Sequence, residues 1–253
     1  MKPEDFGITK YNMLSSGKME ILQHVRMDHL KLEEFPFEVE RLNGYLSFRG
    51  NKLKDTKSIL FPIMGDKIEL ADNLITNADE FLRFNKDKIN NISLFNNKIE
   101  EINIPQNFSD SHLNLFNNPL KKIFFTQQYW NGILYFPKLQ TYETLPKYIK
   151  LMYIAKEENL DFKQIPQFSE FIAKYCSINN FVGSPISAKR YSFNNCKIDN
   201  FNYQFSPYNK NAFLYFKDSL IYKSNDYSKL SKHFEDLDKF KEYIKSSLIL
   251  KNL

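Results

Sequence analysis

Two apolar phrases of the same shape stand 21 residues apart in the middle of the chain, keyed on Asn97 and Asn118. The first places Ile89, Ile92, Leu94, Ile99 and Ile102 around Asn97. The second places Leu113, Leu115, Leu120 and Ile123 around Asn118. In each, two apolar residues alternate with polar ones just before the Asn. That period of two predicts a short strand with one face buried. The apolar residues after the Asn continue the buried column as the chain turns away. The pattern recurs upstream at Leu46, Phe48, Asn51 and Leu53, and at Ile68, Leu70, Asn73 and Ile75. A first, less regular copy has Leu22, Val25, Met27 and Leu32, with Leu30 where Asn is expected. The key positions 30, 51, 73, 97 and 118 are separated by 21, 22, 24 and 21 residues. Five copies in register are evidence for a repeat architecture in which no single unit can bury its apolar face alone.

The order L-x-x-L-x-L-x-x-N-x-L resembles the leucine-rich-repeat family. The resemblance covers roughly residues 20–222 and is specific in five or six coils. It implies an α/β solenoid: a leucine-rich-repeat horseshoe with short parallel strands on a concave face, buried Asn amides bonding to neighbouring coils, and a C-terminal capping helix. It further implies a protein-binding module without catalysis.

Past Leu120 the phrase blurs. Trp130 to Lys138 reads as a coil with Ile133 and Tyr135 inward, and residues 150–160 as one with Tyr153, Ala155 and Leu160 inward. The segment Pro166 to Tyr175 is compatible with a short helix, so 140–175 is either drifted repeat or an insertion. The repeat returns at Tyr191, Phe193, Cys196 and Ile198, with Cys in the Asn position, and again at Leu214, Phe216, Ser219 and Ile221. Residues 228–248 carry Leu230, Phe234, Leu237, Ile244 and Leu248 at helical spacing, within an expected cap over 223–253. Residues 1–20 lack the repeat and are expected to cover the other end, where a terminal coil would leave unpaired strand edges.

The register assigns side chains to the concave face. Phe95, Phe116 and Phe136 take one position in three consecutive coils, which predicts an aromatic ridge. Such a patch marks an interaction site when exposed. With Arg26, Tyr45, Arg49 and Tyr215 they form the expected partner-binding set.

Composition agrees with a folded solenoid: 42% hydrophobic, 26% charged, with 24 Phe and 15 Tyr able to replace Leu in core positions. The net charge of +5 is dispersed, so counterion-driven nucleic-acid binding is not expected. A chain rich in Lys, Asn, Ile and Phe suits an AT-rich coding genome, and a phage, mobile-element or bacterial origin. The N-terminal stretch lacks the apolar core of a signal peptide and no run approaches 18 apolar residues, so a cytoplasmic protein is expected. His24 and His29 are not spaced as a zinc pair. Asp28-His29 and Asp110-Ser111-His112 resemble triad fragments only in linear order, since strand neighbours face opposite ways. Cys196 falls in a core position and Cys176 is ambiguous. The phosphate-cradling and dinucleotide motifs are absent from a chain with seven glycines. No catalytic residue, metal or cofactor is expected. The expectation is an adaptor or inhibitor gripping a protein partner on the concave face, with a structural subunit of a larger assembly, such as a virion or secretion component, as the alternative.

Overall fold

A computed structural model describes residues 1–85, 89–137, 139, 144–158, 160–162, 165–180, 188–198, 213–217 and 220–221. The chain divides into two compact units, Met1–Gln128 and Tyr129–Leu253. Each is built of coils whose strands stack in parallel, so the protein is a parallel-stranded β-solenoid.

In the first unit the main sheet is formed by β3 (Val25–Arg26), β5 (Leu46–Ser47), β6 (Lys67–Glu69), β7 (Asn91–Ser93) and β9 (His112–Asn114). Their registers run Val25↔Leu46↔Ile68↔Ile92↔Leu113, all buried residues. Met27, Phe48, Leu70, Leu94 and Leu115 fill the next inward layer, and Leu53, Ile75, Ile99 and Leu120 a third. The expected period of two is therefore the observed one. The edge toward the N-terminus carries a second sheet, in which β1 (Tyr11–Met13) pairs antiparallel with β2 (Met19–Ile21) and β2 parallel with β4 (Val39–Leu42). Behind the later coils, β8 (Glu101–Ile104) and β10 (Lys122–Phe125) form a parallel pair.

Each main strand ends in a tight turn through a left-handed residue: His29, Gly50, Asp72, Asn96 and Asn117 have φ between 53° and 67°. The next residue enters the position read as Asn in the sequence. The coils also touch where the strands begin. A Cβ on Gly65 would stand 2.4 Å from the Gly44 carbonyl oxygen, and one on Gly44 would stand 2.5 Å from the Gln23 oxygen. Only glycine lets backbone approach backbone so closely.

The second unit's main sheet consists of β11 (Tyr129–Phe136), β12 (Tyr148–Ala155), β14 (Gln167–Lys174), β16 (Arg190–Asn194) and β18 (Phe213–Lys217). Its side sheet consists of β13 (Leu160–Asp161), β15 (Ser177–Asn180), β17 (Lys197–Ile198) and β19 (Leu220–Ile221), all parallel. Aromatic rings replace leucine here: Phe162, Phe168, Phe171, Tyr191 and Phe193 are buried with centroids 5.0–6.4 Å apart.

Three expectations are corrected. An α/β architecture does not match the described residues, whose one α-helix is α1 (Asp79–Phe84); the returning segments are otherwise short 3₁₀ turns and extended chain. The helix read over Pro166 to Tyr175 is strand β14, paired in register with β12 on one side and β16 on the other. The coils at 130–138 and 150–160 are read one residue out of register: Leu134, Phe136, Met152 and Ile154 point into the core, while Ile133, Tyr135, Leu151 and Tyr153 are half-exposed. The C-terminal helix expected over 223–253 lies outside the described residues.

Candidate functional site

The candidate surface is the solvent side of each main sheet. It is held rigid from beneath by a ladder of side chains. Asn51 accepts hydrogen bonds from the Leu30 and Leu32 amides at 3.1 Å and donates to the Met27 carbonyl at 2.7 Å. Asn73 accepts from Leu53 (3.1 Å) and donates to Phe48 (2.9 Å) and Leu70 (3.2 Å). Asn97 accepts from Ile75 (3.0 Å) and donates to Leu70 (2.9 Å) and Leu94 (3.0 Å). Asn118 accepts from Ile99 (3.1 Å) and donates to Leu94 (2.8 Å) and Leu115 (2.9 Å). Every amide thus stitches its own coil to the one before. All four are buried, where an unpaired polar group would cost about 1–3 kcal/mol.

The second unit fills the same position differently. Lys156, Tyr175 and Asn195 take left-handed φ of 61°, 56° and 52°. The residues after them, Glu157, Cys176 and Cys196, are buried. Cys176 Sγ lies 3.9 Å from the Ile154 oxygen of the preceding coil and 3.5 Å from the Lys174 oxygen. A hydrogen bond with Cys196, and then burial, push the Cys176 thiol up, away from the thiolate a nucleophile requires. Cys176 and Glu157 are the residues in the equivalent buried position that the sequence reading missed. Counting back 20 residues from Cys196 reaches Cys176, and that spacing was the available signal.

On the first unit's solvent face the side chains are polar and mutually paired. Arg26 donates from Nε to Asp28 at 2.6 Å; Asp28 also accepts from the Ser47 hydroxyl (2.6 Å) and the Arg49 amide (3.0 Å). Arg49 donates to Asp72 at 2.7 Å, and Asp72 accepts from Asn96 at 2.8 Å. Lys67 pairs with Glu69 at 3.0 Å. Tyr45 stacks on His24 with centroids 4.2 Å apart. Together Arg26, Tyr45, Arg49, Lys67 and Glu69 line a shallow cleft of about 310 Å³. Burial alone would raise the Asp28 and Asp72 carboxyls, but the hydroxyl, amide and guanidinium donors outweigh it and hold both below the ordinary aspartate value. Arg49 is raised in turn by Asp72. These shifts deepen existing charges and are the signature of ion pairing; a general acid or base is tuned toward neutrality instead.

Of the expected binding residues, the structure brings Arg26, Tyr45 and Arg49 together on this face. Phe95 and Phe116 lie on neighbouring coils and are half-buried; the Asn96 amide donates to the Phe116 carbonyl at 2.8 Å, which fixes their alignment. Phe136 does not join them. It is fully buried, facing the core of the second unit, because a one-residue shift in register sends a strand side chain to the opposite face. Tyr215 lies in β18, in register with Ser192.

The second unit's solvent face is apolar instead. Ile133 is in register with Leu151, and Tyr135 with Tyr153 and Ile172; all five are half-buried. The Tyr135 and Tyr153 rings pack at 5.3 Å with their planes 36° apart.

Among the described residues, no group of three or more His, Cys, Asp or Glu is placed to hold a metal ion. No described helix is long and apolar enough to cross a membrane. No protein-family model matches the chain, and no curated protein or solved structure is significantly similar to it.

Proposed function

We propose that this chain is a non-catalytic solenoid of irregular leucine-rich-repeat type, acting in the cytoplasm as an adaptor or inhibitor that binds a protein partner on the solvent side of its main sheet. A phage or mobile-element protein acting on a host factor is the setting that suits its composition. The five coils in register, four of them keyed on Asn, support the repeat affiliation through their spacing.

The observation that carries the binding reading is the row formed by Ile133, Tyr135, Leu151, Tyr153 and Ile172. A sheet face turned to water ordinarily alternates to polar residues. Here it keeps aliphatic and aromatic groups in neighbouring coils, which marks interaction surfaces. Tyrosine suits that role because it combines a large apolar ring with a hydroxyl that bonds at an interface edge.

The test is affinity capture from the native host with the tagged chain and with a Tyr135→Ser/Tyr153→Ser variant, folding being checked by circular dichroism and solution mass by light scattering. A stoichiometric protein retained by the parent and lost with the variant is the expected result. Equal retention by both, or a parent that recovers only copies of itself in a large assembly, overturns the reading.

A further inference from the structure

Taking the protein-binding reading as given, we propose that the solvent face of β11, β12 and β14 accepts an acidic polypeptide segment carrying apolar side chains. The charges around the tyrosine row lead to this. Lys150 stands exposed beside Leu151, Lys156 stands exposed at the turn after β12, and Lys174 ends β14 with its ammonium 5.2 Å from the Tyr175 ring centroid. Among the described residues no carboxylate lies within ion-pair distance of these three lysines. The acid facing the same side, Glu170, is matched by Arg190 at 3.8 Å.

The first unit shows what a self-neutralised face looks like in the same fold: Arg26 is answered by Asp28, Arg49 by Asp72 and Lys67 by Glu69. In the second unit Lys150, Lys156 and Lys174 surround an apolar centre with no such answering carboxylate among the described residues. Such an arrangement selects a partner whose apolar anchors are flanked by Asp and Glu, since opposite charge speeds encounter and like charge rejects competitors.

A single-stranded nucleic acid, the other polyanion, fits less well. It binds by stacking bases on open aromatic faces. Tyr135 and Tyr153 are consecutive members of one ladder and pack against each other, so each ring already spends part of its face on the other, which suits apolar side chains of a polypeptide better than stacked bases.

The probe is a fluorescently labelled random copolymer of glutamate and tyrosine, titrated with the full chain and read by anisotropy. The parent binds it, and raising salt from about 0.05 M to about 0.3 M, which shortens the screening length well below 10 Å, weakens binding roughly tenfold. A folded Lys150→Glu/Lys156→Glu/Lys174→Glu variant loses about tenfold or more, and Tyr135→Ser/Tyr153→Ser loses a similar factor. Polyglutamate without tyrosine binds more weakly. The proposal is overturned if charge reversal leaves the copolymer bound as before, if a lysine–tyrosine copolymer binds equally, or if an oligothymidylate displaces the probe. If the copolymer fails to bind while a host protein is still captured in a tyrosine-dependent way, the acidic class falls and the protein-binding reading stands. If neither binds, both fall.

Discussion

A buried asparagine in this solenoid satisfies three backbone groups that belong to two coils. Replacing Asn97 by Leu takes away the acceptor of the Ile75 amide and one of the side-chain donors to each of the Leu70 and Leu94 carbonyls, which keep Asn73 and Asn118. At about 1–3 kcal/mol for a buried unpaired group, the expected loss is on the order of 3 kcal/mol, read as a lowered urea midpoint. Gly65→Ala is expected to cost about 2 kcal/mol by the same measurement, because the new Cβ meets the backbone of Gly44 at 2.4 Å and strain in a packed region is not relieved by a side-chain swing. The Asn positions were legible in sequence because few residue types can bond a carbonyl and an amide at once, so their spacing stands out. Glu157 and Cys176 occupy equivalent places and were not legible. Neither is an amide, and the left-handed residues before them, Lys156 and Tyr175, are not types that favour that conformation.

Strand register was legible where the two faces of a strand differ in polarity. In β6 and β7 an apolar residue stands between polar ones, as in Lys67-Ile68-Glu69 and Asn91-Ile92-Ser93, and only one register buries it. In β11 the run Ile133-Leu134-Tyr135-Phe136 is apolar on both faces, and periodicity cannot choose. The pairing of β11 with β12 also shifts between Trp130 and Ile133, which breaks the simple count. The difference is measurable. Phe136→Ala, in the core, is expected to destabilise by about 3–5 kcal/mol, whereas Phe95→Ser and Phe116→Ser, half-buried, are expected to cost clearly less. Comparable losses at Phe95 and Phe136 in denaturation would contradict the register. Electrostatics tie β3, β5 and β6 together as well. Asp28 and Asp72 have lowered carboxyl pKa values in the folded chain, so their contribution is complete above the unfolded value of about 3.9 and is lost as pH falls through the lower folded values. Thermal midpoints measured from pH 7 downward are therefore expected to hold to about pH 4 and then drop. Asp28→Asn should flatten that drop; an unchanged acid limb would show that these pairs do not contribute.

The two units solve one problem of packing and leave two different surfaces. Both stack parallel strands over a core sealed by a turn with a left-handed residue. In the first unit, arginine and lysine on the solvent face are neutralised by neighbours in the same or the next coil, so a partner would have to compete with Asp28 and Asp72 to reach Arg26 or Arg49. Exposed ion pairs of this kind are worth little in stability, typically about 0–1 kcal/mol, and they lower the positive charge available for steering. In the second unit, tyrosine and aliphatic side chains occupy the equivalent columns beside lysines with no such neighbour among the described residues. The expected binding set of Arg26, Tyr45 and Arg49 thus sits on the face with less to offer, and Tyr135 and Tyr153, read as core in the sequence, sit on the face with more. A paired experiment separates the two. An Arg26→Ser/Arg49→Ser chain is expected to keep partner capture within about twofold and to lose little stability, while Tyr135→Ser/Tyr153→Ser is expected to lose capture about a hundredfold, as interface hot spots do when truncated together. The opposite result, with capture abolished by the arginine changes and untouched by the tyrosine changes, would place the interface on the paired, polar face of the first unit.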